Sequence, residues 1–374
     1  MRRVPAVLMA LSLTVFGCSV SDVDPDATVR ISGRALDAQG RPLSGAKVLL
    51  FKQADLGEII IGTTLAIGTL STICLLPDPP AVCNQARVVT ADEDGAYEFE
   101  LKGSDTQGTL GTESTLNVVF SGSKAQGSTS VSFTVKDTTV TVPDARLWKA
   151  APRLSDSGGQ IRLSWTPLPA AAGDDAGYSA QLLDTETGSV FFSQSASDDE
   201  ATVDPRMLED RPGSMAVNAG TSLSGGSGTG DVRANYLSAR LPVDDTAGAP
   251  PSRGRPCAAL IGTAPTLAEP PDTCPMTDGD LTSLAGLKAA GKKVVTGAVI
   301  DLGSVRPIDL VVTRGFTGQF LVEVSTDGTT WQPVGSALGR TVAVDPPGTP
   351  SARFVRVRSA TGVDQSLASE VSVW

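Results

Sequence analysis

Hydrophobic positions recur with period two along most of this chain. Val299-Ile300-Asp301-Leu302-Gly303 is an apolar run stopped by glycine. Ile308, Leu310 and Val312 then alternate with Asp309, Val311 and Thr313, and Phe320, Val322 and Val324 alternate with Leu321, Glu323 and Ser325. Short runs of this period, bounded by Gly and Pro, predict strands with one buried face. Ser325-Thr326-Asp327-Gly328 predicts a turn in which glycine takes a positive φ, with Trp331 just beyond it. Phe354-Val355-Arg356-Val357-Arg358 and Val371-Ser372-Val373-Trp374 predict two more strands, and Arg356 and Arg358 share a face that reads as solvated.

Earlier segments repeat the pattern. Val29 and Ile31 mark a strand, 37–42 a turn, Gly45 to Phe51 a second strand, and Leu116 to Val119 and Val131 to Val135 two more. Ile161-Arg162-Leu163-Ser164-Trp165 alternates, with Trp165 expected as a core anchor, and Gln181 to Phe192 reads as a hairpin. No long helical periodicity stands out. The expected class is all-β, in three tandem β-sandwich or jelly-roll domains after a lipoprotein signal peptide.

Three resemblances sharpen the boundaries. "GRALDAQGRPLSGAKV" followed by "TADEDGAYEF" resembles the carboxypeptidase regulatory-like family, a transthyretin-like sandwich, over 29–145. That likeness implies Gly95 closing a turn, Tyr97 and Phe99 pointing inward, and an accessory rather than catalytic role. Its departure is an insertion at 53–86, in which Ile59 to Leu76 is 18 residues without a charge. By length it would span a bilayer, but acidic flanks (Glu58, Asp78) and its Gly, Thr and β-branched content favour a segment ordered against the sandwich, or an apolar patch for a partner. Residues 151–243 resemble a fibronectin type III sandwich through "LSWTPLP" and strand count. Residues 244–256, rich in Asp, Gly and Pro, read as a linker. In 257–374, Asp278-Gly279-Asp280, "IDLG", "VSTDGTTW", "ARFVRVR" and "SEVSVW" occur in the order of the discoidin, or coagulation factor 5/8 type C, family of jelly rolls.

Composition narrows the function. Met1-Arg2-Arg3 followed by the apolar Val4 to Phe16 reads as a signal peptide (1–17). Val15-Phe16-Gly17-Cys18 resembles the bacterial lipobox, although Phe16 departs from it, and implies lipidation of Cys18, an 18–28 tether and, with Ser19, the outer membrane or cell surface. Five Cys are present, so four remain beside Cys18. Close spacing within putative domains pairs Cys74 with Cys83 and Cys257 with Cys274, as expected of an exported chain. The chain has no His, which removes Ser-His-Asp and Cys-His catalysis and His-ligated zinc. Adjacent acids at Asp174-Asp175, Asp198-Asp199 and Asp244-Asp245 read as solvated loops rather than as a catalytic pair, and no organic cofactor motif appears. The formal charge of −11 becomes −13 once Arg2 and Arg3 leave with the signal, which argues against nucleic acid as a partner.

The discoidin likeness implies binding of carbohydrate, lipid or protein through loops at one end of the barrel. The loop Arg314-Gly315-Phe316-Thr317-Gly318 offers a cation and an aromatic, the residue types that dominate recognition hot spots; the competing expectation is that Phe316 plugs the barrel. Against sugar binding, Leu281-Thr282-Ser283-Leu284 follows the Asp-Gly-Asp turn where many sugar-binding relatives carry Trp. The likeness also implies a structural Ca²⁺ at Asp278, Asp280 and Glu370, with Thr282 as a further oxygen. The expectation is a non-enzymatic envelope lipoprotein that binds carbohydrate or another surface macromolecule as an adhesion protein. The alternative is a structural subunit of an envelope assembly whose partners are envelope proteins.

Overall fold

The structure, a computed structural model, describes residues 21–53, 87–108, 111–122, 127–172, 174–185, 188–196, 199–261, 266–267, 274–280, 294–339, 341–365 and 368–374. The signal segment, Cys18, the apolar insertion from residue 54 onward and the Cys74–Cys83 pair lie outside the described residues. The strands are β1 (Thr28–Leu36), β2 (Lys47–Lys52), β3 (Arg87–Thr90), β4 (Ala96–Lys102), β5 (Thr115–Ser121), β6 (Ser128–Thr134), β7 (Thr139–Thr141) and β8 (Ala145–Arg146). There follow β9 (Arg153–Ser157), β10 (Gln160–Ser164), β11 (Asp174–Asp184), β12 (Val190–Ala196), β13 (Glu200–Val203), β14 (Gly213–Leu223), β15 (Val232–Leu237) and β16 (Leu241–Val243). The last third carries β17 (Cys257–Ile261), β18 (Thr266–Leu267), β19 (Val295–Pro307), β20 (Val311–Arg314), β21 (Gln319–Ser325), β22 (Gln332–Leu338), β23 (Thr341–Val344), β24 (Ser351–Ser359) and β25 (Glu370–Val373). Among the described residues there are strands and short 3₁₀ turns but no α-helix, so the fold is all-β.

Two compact units form: Met1–Ala150 with Leu168–Gly177 and Ala219–Ala239, and Ala151–Pro167 with Tyr178–Asn218 and Arg240–Trp374. In the first unit, β1 pairs antiparallel with β4, Ile31 opposite Phe99, and parallel with β7, Ile31 opposite Val140. A second sheet runs β3-β2-β5-β6-β15. Alternation turns Val29, Ile31, Tyr97 and Phe99 from one sheet, and Val48, Leu50, Val118, Phe120, Val131 and Phe133 from the other, into one core. Gly33 is required there: a Cβ at this position would lie 2.4 Å from the Tyr97 hydroxyl. The acidic turn before β4 is self-capped, since the Asp92 carboxylate accepts from the N–H groups of Asp94 and Ala96. Asp92 is thereby used in the turn.

The second unit holds a three-stranded sheet β13-β10-β9 and the strands β12-β11-β14, with β16 on β14. Trp165 is buried, as its alternation predicts, and its ring centroid is 5.9 Å from that of Tyr178. The same unit contains a two-sheet sandwich of β18-β17-β19-β24-β21-β22 facing β23-β20-β25. Ile300, Leu302, Val322, Val324, Val355 and Val357 from the larger sheet meet Val311, Val371 and Val373 from the smaller. The Cys257–Cys274 disulfide forms within this core, with Cα atoms 5.3 Å apart.

Four expectations are corrected. The chain packs as two units, and 151–243 is divided between them rather than folding alone: β15 pairs with β6, and Val232 and Leu223 pack into the first core. The 244–256 linker is not a free tether, because the fully buried Ser252 hydroxyl accepts the Val373 N–H at 2.9 Å. Asp174 and Asp175 open strand β11 instead of occupying a loop. Arg356 does not sit on a solvated face. It is buried, and it shares Glu323 with Arg358: Glu323 Oε2 accepts Arg356 Nε at 2.7 Å and Arg358 Nε at 2.8 Å. The register puts Glu323 directly opposite Arg356, so the ladder itself sets this pair.

Two predictions follow from this packing. The Cys257–Cys274 bridge closes a short loop, sequence separation 17, and such a staple contributes about 3 kcal/mol on the chain-entropy model. Urea unfolding of the Cys257→Ala, Cys274→Ala variant is expected to show a loss of that order, and an unchanged midpoint would refute it. Burial alone would raise the Glu323 pKa, but hydrogen bonds from Arg358 and Arg356 outweigh it and hold the carboxyl below its ordinary value. The native state therefore binds fewer protons than the unfolded chain in mild acid, and the stabilisation is present above the ordinary pKa and lost as pH falls below it. Glu323→Gln is expected to cost about 3 kcal/mol at neutral pH by leaving Arg356 without its charge partner, and to lose less than the parent on acidification. A parallel pH dependence for both proteins would reject the ion triad.

Candidate functional site

The loop after β20 does not present a recognition pair. β20 is the central strand of its sheet, between β23 and β25, and all four of its residues are buried. Its last residue, Arg314, donates from Nη1 to the Phe191 carbonyl at 2.8 Å, and from Nη2 to the Met207 carbonyl at 3.2 Å and Glu209 Oε1 at 2.8 Å. Its guanidinium also lies 5.8 Å from the Phe191 ring centroid, and Arg211 lies 5.9 Å from the same ring. Gly315, at φ +77°, then reverses the chain and sends Phe316 into the core, where its ring is 5.4 Å from Phe320. Gln365 fastens the loop from both sides, accepting the Thr317 N–H at 2.9 Å and donating to the Thr317 carbonyl at 2.7 Å. Arg314, expected as a ligand contact, is thus an internal ion-pair partner, and Phe316 takes the alternative expected for it, a core plug. Burial of the ring and satisfaction of all but one of the guanidinium nitrogens outweigh leaving either in water.

The expected cation residues do come together in part. Gly279, at φ +84°, curls the Asp278–Asp280 turn, and the Asp280 N–H donates to Asp278 Oδ1 at 2.8 Å. Two residues before the turn, the Met276 carbonyl accepts the Val371 N–H at 2.8 Å, which holds the turn beside β25. Glu370 opens β25 opposite Arg314. It is 1 % exposed, and its carboxylate oxygens make no hydrogen bond of good geometry among the described residues, the Gly279 N–H acting on them only weakly. Burial first, then the charges of Glu209 and Asp278, push its pKa up to about 8, against the weaker opposing pull of the Gly279 N–H and Arg314. A buried carboxylate beside a second acid is an environment that a cation relieves. Among the described residues no three ligating side chains converge into a metal-holding group, and Thr282 lies outside them. Of the residues expected around Ca²⁺, Asp278 lies near enough to Glu370 for its charge to act on it, and the Asp280 N–H closes the turn.

A third cluster lies on the outer face of the larger sheet. Trp331, half-buried at the start of the segment leading into β22, stacks on Arg356 with the guanidinium carbon 4.2 Å from the ring centroid. One row along, Arg353 sits 4.8 Å over the half-buried Phe354 ring and grips Asp301 by two hydrogen bonds of 2.8 Å. Those bonds hold the Asp301 carboxyl below its ordinary pKa against the effect of burial. The adjoining turn is rigid: Asp327 Oδ1 accepts the N–H groups of Thr329 and Thr330 at 2.8 Å, and Gly328 at φ +74° lets the chain pass against Phe354. The face therefore carries two aromatic rings, each backed by an arginine whose other contacts are fixed by a carboxylate. Sequence reasoning placed Trp331 after the turn but missed this cluster; the signal was the arginine alternation of β24 lying across the sheet from that Trp.

No protein-family model matches the sequence, and no curated protein matches it. Several solved structures resemble part of it. Chitosan-binding module 2 of the chitosanase/glucanase from Paenibacillus sp. IK-5, in complex with chitotriose, is 19 % identical over 33 % of this chain and 98 % of that chain, with a TM-score of 0.25. A CBM32-4 module produced by Clostridium perfringens, in complex with GlcNAc-α-1,4-galactose, is 16 % identical over 33 % of this chain and 91 % of that chain, TM-score 0.24. SpGH29 is 22 % identical over 33 % of this chain, TM-score 0.24, and the match spans 27 % of that chain's length.

Proposed function

We propose that this protein is a non-catalytic bacterial envelope lipoprotein whose C-terminal discoidin-like sandwich binds carbohydrate and serves adhesion. The observation that carries the reading is the half-buried pair Trp331 and Phe354 on one sheet, with Arg353, Arg358 and Asp301 beside them and the buried Arg356–Glu323 pair fixing the Trp331 ring from below. A pyranose ring offers a C–H face that packs on an aromatic plane and a rim of hydroxyls that hydrogen-bond to fixed charged groups. Here the aromatic planes and the charged groups alternate on one sheet, with their conformational entropy already spent on the ion pairs. The lipobox-like segment ending at Cys18 supports attachment through lipid to the outer membrane. The first sandwich then acts as an accessory module, consistent with its carboxypeptidase regulatory-like sequence signature. Ca²⁺ at Asp278 and Glu370 is proposed as structural, neutralising Glu370 and tying the turn to β25.

A glycan array probed with the full chain tests the binding reading. Retention of specific glycans that is abolished by Trp331→Ala, with an unchanged melting temperature, is the expected result. A silent array together with co-purified envelope proteins would replace it with the assembly-subunit reading. For the ion, millimolar Ca²⁺ is expected to raise the melting temperature by mass action, and Asp278→Ala with Glu370→Ala to erase the rise. Identical melting in EDTA and Ca²⁺ would sink the proposed ion.

A further inference from the structure

Residues 21–27, expected as part of a tether, belong to the fold of the first unit. The Ser21 N–H donates to the Gly111 carbonyl at 3.0 Å, and the Ala27 N–H closes a turn on the Asp24 carbonyl at 3.0 Å. Val23 is buried in the core, and its carbonyl accepts Gln107 Nε2 at 2.6 Å. The carbonyls of Pro25 and Ala27 take the N–H groups of Ser104 and Gly103 at 2.9 and 2.8 Å. Gly103 is required by this contact, since a Cβ there would lie 2.0 Å from the Asp24 carbonyl oxygen. Freeing the segment would expose Val23 and strand the backbone groups that it satisfies, so it cannot serve as a loose linker.

The segment enters at one end of the sandwich. Thr28, at the start of β1, is opposite Lys102, at the end of β4. The connection from β4 to β5 stays at that end, with Gln107 bridged to Glu113 and the Gly108 N–H donating to the Thr112 carbonyl. Strand β2 ends there, where Lys52 Nζ donates to the Gln107 carbonyl at 3.2 Å, and β3 begins there, where Arg87 Nη2 donates to Asp105 at 2.9 Å. Both flanks of the insertion that carries the uncharged run Ile59 to Leu76 are therefore at this end. The turns Asp37–Gly40 and Asp92–Gly95 close the opposite end, roughly 30 Å away along the nine residues of β1.

Only three residues of sequence lead from Cys18 to Ser21, a reach of at most about 11 Å even when fully extended. A headgroup layer is itself roughly 5–8 Å deep. A lipid on Cys18 keeps its acyl chains in the hydrocarbon, so Ser21 and the Gly111 loop bonded to it can stand little farther out than the headgroups. We propose that this end of the first sandwich, residues 21–27, 103–108 and 111–113, rests directly on the headgroup surface of the bilayer that holds the anchor. The sandwich is then mounted on the membrane without a spacer, and β1 leads away from the surface. The inference rests on the lipidation reading above. Asp22, Asp24 and Asp26 give this end no attraction to anionic headgroups, so the short anchor imposes the contact. The position of both flanks of the uncharged run at this end, and not at the opposite one, agrees with a lipid neighbour.

The test uses the full-length acylated protein in phosphatidylethanolamine–phosphatidylglycerol vesicles that contain a lipid spin-labelled at its headgroup. A genetically encoded fluorescent residue replaces either Ser104, exposed at the lipid-facing end, or Glu93, exposed in a turn at the opposite end. Quenching several-fold stronger at 104 than at 93 is expected. A Gly/Ser spacer of about 15 residues inserted between Ser19 and Val20 has an r.m.s. span of roughly 20 Å, and it is expected to lower the quenching at 104 toward that at 93 while acylation persists. Equal quenching at the two positions in the acylated parent overturns the contact and leaves the lipidation reading intact. Undiminished quenching at 104 in the acylated spacer variant overturns the short anchor as its cause. Absence of fatty-acid labelling of the parent, matching the Cys18→Ala protein, overturns both readings.

Discussion

The burial of Arg314 is the constraint on which the second unit depends. A guanidinium cannot shed its charge, so removing it from water costs several kcal/mol unless its protons are met by acceptors. Here two backbone carbonyls and one carboxylate meet them, all supplied by residues 191–209. Those acceptors are equally in need of donors, because their own segment is buried where they lie. Neither side can therefore dissociate without stranding polar groups. This mutual requirement explains why residues 178–218 belong with the C-terminal sandwich rather than folding as a separate spacer.

The same chemistry recurs on the opposite sheet with a different outcome. Glu323 is also a buried carboxylate, but it accepts from Arg356 and Arg358 together, and Trp331 lies over one of the two. Its site carries an excess of positive charge and no unsatisfied oxygen. At Glu209 and Glu370 three buried carboxylate oxygens have no hydrogen-bond partner of good geometry among the described residues. The arginines are thus distributed so that the Glu323 carboxylate is fully paired while the Glu370 carboxyl has no ion-pair partner among the described residues.

Period two in β19, β21 and β24 was enough to read the all-β class and the core of the last domain, because a strand with one buried face has little freedom about which residues turn inward. Tyr97, Phe99 and Trp165 followed from the same rule. The direction of Arg314 was not readable, and that of Phe316 was readable only as one of two alternatives. Phe316, between Gly315 and Gly318, can project or fold back with the same local sequence; for Arg314, at the end of β20, what decides is whether acceptors lie behind the strand. Those acceptors come from Phe191, Met207 and Glu209, more than a hundred residues away in sequence. Nothing in the sequence singled out Glu209: the Asp-Pro pair before it predicts a turn but not a buried carboxylate. Arg356 was misread because alternation says which side of the sheet a residue faces, not what covers that side.

The fastening of the C-terminal sandwich also decides the state of its last strand. Glu209, Arg314 and Glu370 lie in sequence across the β20–β25 ladder and the segment packed on it. Arg314 gives its charge-assisted bond to Glu209, so Glu370, opposite it in the register, is buried without an ion-pair partner among the described residues. Burial and the charges of Glu209 and Asp278 therefore favour its neutral form. One arginine cannot serve two buried acids equally, and the acid on the distant segment takes it, because that bond is the one that holds the segment in place.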